Sequence, residues 1–149
     1  MGKKLFHVLL VEDNPGHAEL VKRTLRDENR LITVHHADNG ETALDYLFRR
    51  GRFKDPEASP KPQLVLLDLR MPKMDGMEVL SRIKSDKDLS IIPVVVLTTS
   101  DSEMDIMAAY RNRTNSYLVK PFDFNQFVEL MEETKLFWLK WNHLPEIAN

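Results

Sequence analysis

One run of apolar residues that stops on a carboxylate constrains this chain most. Leu64, Val65, Leu66 and Leu67 are continuous, Asp68 comes next, and Leu69-Arg70-Met71-Pro72-Lys73-Met74-Asp75-Gly76 follow. Four uninterrupted apolar residues describe a strand covered on both faces, the pattern of a parallel sheet. Open α/β sheets place their reactive groups at the carboxyl ends of strands, where Asp68 falls. Pro72 and the Asp75-Gly76 pair turn the chain. Met77, Leu80 and Ile83 then recur at helical spacing.

The same alternation runs along the whole chain. A first strand is predicted at about Phe6–Val11, broken by Glu12-Asp13-Asn14-Pro15. A helix follows to about Arg26, with Ala18, Val21 and Leu25 on one face and Asn14 as its N-cap before Pro15. Leu31–His36, with β-branched Ile32, Thr33 and Val34, reads as a second strand, and Asp38-Asn39-Gly40 as a turn. Ala43, Leu44, Leu47 and Phe48 mark a helix to about Arg50. Gly51–Pro62 holds three prolines and reads as a long loop. After the Leu64–Leu67 strand and its helix, Lys84–Ser90 reads as a polar link and Ile91–Leu97 as a fourth strand. Asp101 or Ser102 caps a helix carrying Met104, Met107 and Ala108. Ser116–Val119 is a short fifth strand, and Phe124, Phe127, Val128 and Met131 open a last helix. Five strand–helix pairs imply one α/β domain: a doubly wound parallel sheet with helices on both faces. Its core spans residues 5 to about 130, and residues 131–149 form a C-terminal helix extension and tail.

Composition narrows the function classes. The 149 residues suit one domain, and 42% hydrophobic content can fill a core. A net charge of -2 gives nucleic-acid binding no electrostatic support. The absence of cysteine removes disulfides and thiol chemistry and fits a reducing compartment. The start, Met1-Gly2-Lys3-Lys4 before Leu5–Val11, is basic then apolar. Its apolar part is too short for a signal peptide and ends on Glu12-Asp13 without a cleavage site, so it predicts a first strand and a cytoplasmic protein. Phe6 stands where a myristoylation signal on Gly2 needs Ser or Thr.

The polar residues that break this pattern all fall at strand ends: Glu12 and Asp13, Asp68, Thr98, and Lys120. In a doubly wound sheet these ends converge on one edge. Clustered carboxylates raise one another's pKa unless a cation offsets them. With oxygen ligands alone, a hard divalent ion is the natural choice, and Mg2+ first among them. An Asp beside Mg2+, with a lysine and a hydroxyl near, can accept a phosphoryl group.

Four pieces in order, Val11-Glu12-Asp13, Leu67-Asp68 through Asp75-Gly76, Leu97-Thr98-Thr99-Ser100, and Tyr117-Leu118-Val119-Lys120-Pro121-Phe122, make the chain resemble the receiver domain of two-component response regulators. The resemblance implies a flavodoxin-like fold with strand order 2-1-3-4-5. It implies that Asp68 takes a phosphoryl group from a histidine kinase, with no catalysis beyond the protein's own phosphotransfer and dephosphorylation. Glu12, Asp13, Asp68 and the backbone carbonyl of Arg70 would hold Mg2+. Lys120 would contact the phosphoryl group, Thr98 would hydrogen-bond it, and Tyr117 would be the aromatic switch. The Lys120–Pro121 bond would be cis. The Pro-rich insertion and aromatic tail are similar to those of small response regulators of bacterial phytochromes, which implies a light-sensing kinase as partner.

Three rival classes compete. A small-molecule phosphatase of the haloacid-dehalogenase kind needs a second Asp where Arg70 stands. A flavin binder needs a phosphate loop where Glu12-Asp13-Asn14-Pro15 would repel the ligand. An adaptor independent of phosphorylation has no need of the acidic set. Arg70 borders the phosphoryl entrance and is expected to tune access or dephosphorylation. The five histidines, His7, His17, His35, His36 and His143, lack chelating spacing and are expected to be structural. Thr134–Leu144 is apolar on every helical face, with Phe137, Trp138 and Trp141 as candidate anchors of a homodimer. Packing of this segment within the chain, beneath the Pro-rich loop, is the competing reading.

Overall fold

In a computed structural model, residues 5–26 and 31–147 are described. Met1–Lys4, on which the reading of the N-terminus rests, and the last two tail residues lie outside that range. The elements are β1 (Phe6–Val11), α1 (Pro15–Leu25), β2 (Ile32–Ala37), α2 (Gly40–Leu47), β3 (Leu64–Leu67), α3 (Gly76–Ser85), β4 (Val94–Thr98), α4 (Glu103–Arg111), β5 (Ser116–Val119) and α5 (Phe124–Leu136). A 3-10 turn (Gly51–Phe53) and a π-helical turn (Phe137–Trp141) complete them. The five strands form one parallel sheet in the order β2-β1-β3-β4-β5, as the resemblance implied.

Alternation along the strands builds two cores. Leu9, Val11, Val65, Leu67, Val94 and Val96 point to one face, covered by α2, α3 and Ala109 of α4. Val8, Leu10, Leu64, Leu66, Val95 and Leu97 point to the other, covered by Ala18, Val21 and Leu25 of α1 and Phe127 and Met131 of α5. Each α-helix begins with a side chain that accepts a backbone N–H of its first turn: Asn14, Asn39, Asp75, Ser102 and Asp123. Such caps stop the helices from continuing backwards into the strands and so pin the loops at the sheet's carboxyl edge. Asp75 therefore has the turn role expected of it.

Several boundaries differ from the sequence reading. α2 ends at Leu47, not near Arg50, because Arg49 adopts a left-handed φ of 54°. β4 begins at Val94, not Ile91, because Pro93 has no N–H to donate and Ile91 is turned outward. Lys84 does not open a polar link. It lies in the last turn of α3, is 7% exposed, and donates to the carbonyls of Ser90 and Ile92 and to Asn115 Oδ1. Met104 and Met107 of α4 face outward, leaving Ala109 as its buried contact. The Pro-rich stretch is anchored, not loose: the Tyr46 hydroxyl donates to the Pro60 carbonyl at 2.6 Å. Among the described residues no helix is long and apolar enough to cross a membrane.

Candidate functional site

The sheet's ladder carries past the strand ends and aligns the acids. Glu12 N–H donates to Ala37 O and Asp68 N–H donates to Val11 O, each at 3.0 Å, so the turns after β1 and β3 leave side by side. Glu12 is 1% exposed and Asp68 7%, while Asp13 is partly exposed. Glu12, Asp13 and Asp68 each offer an oxygen, all within 4.8 Å of one another. A hard divalent cation takes ligands at about 2.0–2.6 Å, so carboxylate oxygens this close fit one ion held between them. Gly76 makes the arrangement possible: a Cβ there would stand 2.1 Å from the Asp68 carbonyl oxygen. The N-terminus of α3 thus packs directly on the backbone of the strand-end aspartate.

Lys120 enters from the far side of the edge. Its N–H bonds Thr98 O at 2.7 Å, which continues the β4–β5 ladder. Its Nζ donates to Glu12 Oε1, lies 3.4 Å from Asp68 Oδ2 and 3.0 Å from His17 Nδ1. The three acceptors match the three donors of an ammonium. As the acceptor here, Nδ1 of His17 carries no proton, and burial followed by the Lys120 charge lowers the pKa of that imidazole. Burial pushes Glu12 up to about 7. The Lys120 hydrogen bond opposes this, and the neighbouring Asp68 reinforces it. A cation would reverse that balance by replacing the hydration Glu12 has lost.

On the opposite flank a second network meets the site. Arg70 N–H donates to Asp68 Oδ1 at 3.2 Å, and its guanidinium reaches Asp105 Oδ2 of α4 at 2.5 Å. The same oxygen accepts the Ser100 hydroxyl. Ser100 N–H donates to Thr98 Oγ1 at 3.4 Å, and the Tyr117 hydroxyl donates to Ser100 O at 2.9 Å. Thr98 is fully buried and Tyr117 half-buried. A cleft of about 360 Å³, lined by Asp13, Arg70, Met71, Asp75, Met77 and Asp105 among others, leads to the acids.

The structure therefore brings Glu12, Asp13, Asp68, Arg70, Thr98 and Lys120 to one edge, with Tyr117 of β5 joined to it through Ser100. One sequence expectation is corrected. Lys120–Pro121 is trans, as are all described peptide bonds. Lys120 already reaches Glu12 and Asp68 from this backbone, and trans is the isomer X–Pro bonds prefer by about 0.5–1 kcal/mol. Of the histidines, which were expected to be structural, His17 partners Lys120. His7 and His35, on neighbouring strands and the same face, meet at 3.1 Å, and His36 bonds Glu12 O at 2.8 Å. Sequence reasoning missed His17, Ser100 and Asp105; the cue for His17 was its place in the first turn of a helix that follows two acids.

In the tail, Trp138 and Leu139 pack on the α1–α5 core, while Phe137 and Trp141 are 53% and 66% exposed. Intrachain packing thus holds for one side of the π-helical turn. Phe137 and Trp141 form the outward side.

Residues 8–132 match the response regulator receiver domain. The chain belongs to this family. As a receiver it is 46% identical over 140 residues to the probable methanogenesis regulatory protein FilR2 of Methanothrix harundinacea, spanning 94% of this chain and 88% of that protein. It is 40% identical over 141 residues to the response regulator Rcp1 of Synechocystis, spanning 93% and 92%. The phosphorylated cyanobacterial phytochrome response regulator RcpA has a TM-score of 0.91 to it at 37% identity, over 95% of this chain and 99% of that one. The Mn2+-bound form of Rcp1 has a TM-score of 0.88 at 38% identity, with the same coverage. The receiver is thus homologous to phytochrome response regulators and is a signalling protein of two-component type.

Proposed function

We propose that Asp68 accepts a phosphoryl group from a phosphohistidine of a histidine kinase, in a Mg2+-dependent reaction, within a receiver of the cytoplasm. The observation that carries the reading is Lys120 Nζ placed between Glu12 and the buried Asp68, with a third carboxylate beside them. Glu12, Asp13 and Asp68, with the Arg70 carbonyl, would hold Mg2+, which offsets charge on the transferring phosphoryl oxygens. An Asp68 carboxylate oxygen forms the new P–O bond as the P–N bond of the donor breaks, and the imidazole leaves with the electron pair. Lys120 and the Thr98 hydroxyl stabilise the oxygens that carry the charge. Tyr117 follows Thr98 through Ser100 and acts as the switch. Hydrolysis of the acyl phosphate restores Asp68, so the protein catalyses only its own phosphorylation cycle.

The likeness to Rcp1 and RcpA supports a phytochrome-type kinase as partner. The exposed Phe137 and Trp141, with Trp138 edge-on against Phe137, support a homodimer through the C-terminal extension, and a further protein as the reader of the phosphorylated state.

Intact-mass analysis after incubation with acetyl phosphate tests the reading. The wild type should gain one phosphoryl group with Mg2+ and none without it, and Asp68→Asn should gain none. Equal labelling of the variant would misplace the site. No labelling of a folded wild type would favour the phosphorylation-independent adaptor.

A further inference from the structure

The side chains of Arg70 and Asp105 lie between the phosphoacceptor and the switch tyrosine, and the scheme above uses Arg70 only through its backbone carbonyl. Its backbone N–H holds Asp68 Oδ1, while its guanidinium spans the cleft to the first turn of α4. Asp105 Oδ2 receives both Arg70 and Ser100, and Ser100 O receives Tyr117. One carboxylate oxygen therefore joins the β3–α3 loop, the β4–α4 loop and, through Ser100, β5.

We propose that Arg70 is a charge-sensing latch: it holds Asp105 while Asp68 is free, and it transfers to the phosphoryl group once Asp68 is modified. This rests on Asp68 being the phosphoacceptor. The Arg70 side chain is 65% exposed and that of Asp105 21%, a setting in which a single ion pair contributes little and is readily exchanged. A phosphoryl group carries close to two negative charges and three acceptor oxygens, and guanidinium binds it through parallel hydrogen bonds. It would arise on a side chain that Arg70's own backbone already touches, so no loop needs to move for the exchange. Asp105 does not lose all support when Arg70 leaves. It keeps Ser100 and remains in the first turn of α4, where the helix favours a negative charge. What is lost is the tie between the phosphoacceptor loop and α4, so α4 and the Ser100–Tyr117 bond become free to rearrange. Arg70 and Asp105 are positioning residues that act through Ser100.

Hydrogen exchange of the peptide spanning residues 100–110, with the phosphorylated fraction followed by intact mass in the same samples, tests this. In the wild type, acetyl phosphate with Mg2+ should raise exchange in this peptide several-fold. Asp105→Asn, which leaves the metal and phosphoryl ligands intact, should exchange at the phosphorylated wild-type level before any phosphorylation, and should change by less than twofold after it. Arg70→Ala should behave in the same way. Full phosphorylation with an unchanged wild-type peptide would overturn the latch. So would a wild-type-sized response in both variants. No phosphoryl gain in the wild type would instead overturn the receiver reading, and the latch with it.

Discussion

Replacing Lys84 by methionine probes the end of the sheet opposite the phosphoacceptor. Methionine keeps the length and volume of the lysine stem and removes the ammonium. Three acceptors then lose a donor: Ile92 O at 2.9 Å, Ser90 O at 3.0 Å and Asn115 Oδ1 at 3.0 Å. They are not equivalent. Asn115 Oδ1 keeps the Val94 N–H at 2.8 Å. Ser90 is partly exposed, so its carbonyl can turn to water. Ile92 is fully buried, and its carbonyl is left without a donor, at about 1–3 kcal/mol. The lost charge-assisted bonds add to this, and relief of the buried charge subtracts from it. The net loss is about 3 kcal/mol, or about 6–12 °C in Tm for a domain of this size. Urea unfolding followed by circular dichroism would measure it, with acetyl phosphate labelling as a control that should remain at the wild-type level. A loss under about 1 kcal/mol would show that the ammonium's desolvation cancels its bonds, and would refute the view that Lys84 pins α3 to the starts of β4 and β5.

Two further outcomes are expected. Between 4.5 and about 7 the folded protein holds a proton on Glu12 that the unfolded chain has released, so this group's stabilisation is full below 4.5 and is lost as pH rises through about 7. Mg2+ competes with that proton, so its affinity should fall about tenfold from pH 8 to pH 6; calorimetric titration giving a flat affinity would refute a protonated Glu12. Phe137→Ala with Trp141→Ala should shift sedimentation toward monomer with little change in Tm, because both side chains face outward; an unchanged dimer would place the interface elsewhere.

The sheet and its acidic edge were legible in the sequence because both depend on local pattern. A buried parallel strand announces itself as an apolar run, and its end by the first charge, so Glu12, Asp13, Asp68 and Lys120 could be placed from the alternation alone. Thr98 and Tyr117 needed the family resemblance, since a strand-end threonine and a half-buried tyrosine are unremarkable by pattern. Lys84 was misread because a lysine after an apolar helix looks like a surface residue until its acceptors, six, eight and 31 positions away, are known. The same holds for His17, whose partner lies 103 residues on, and for Asp105, which meets Arg70 from 35 residues away. The tail was half legible: its all-round apolarity signalled extra burial, but which faces meet the core depended on the π-helical turn that rotates Trp138 and Leu139 inward.

The order β2-β1-β3-β4-β5 has a consequence for how the protein is made. Of the five strands, the one made first ends up inside the sheet, and the strand that closes its second edge follows 58 residues later, from Phe6 to Leu64. During that interval β1, with β2 on one side, presents an open edge on the other, apolar from Val8 to Val11. Such an edge is a template for wrong partners. The Pro-rich segment Pro56–Pro62 is the last stretch made before β3, and proline cannot extend a ladder. It separates the nascent β1–β2 pair from the strand it awaits without offering a competing strand of its own.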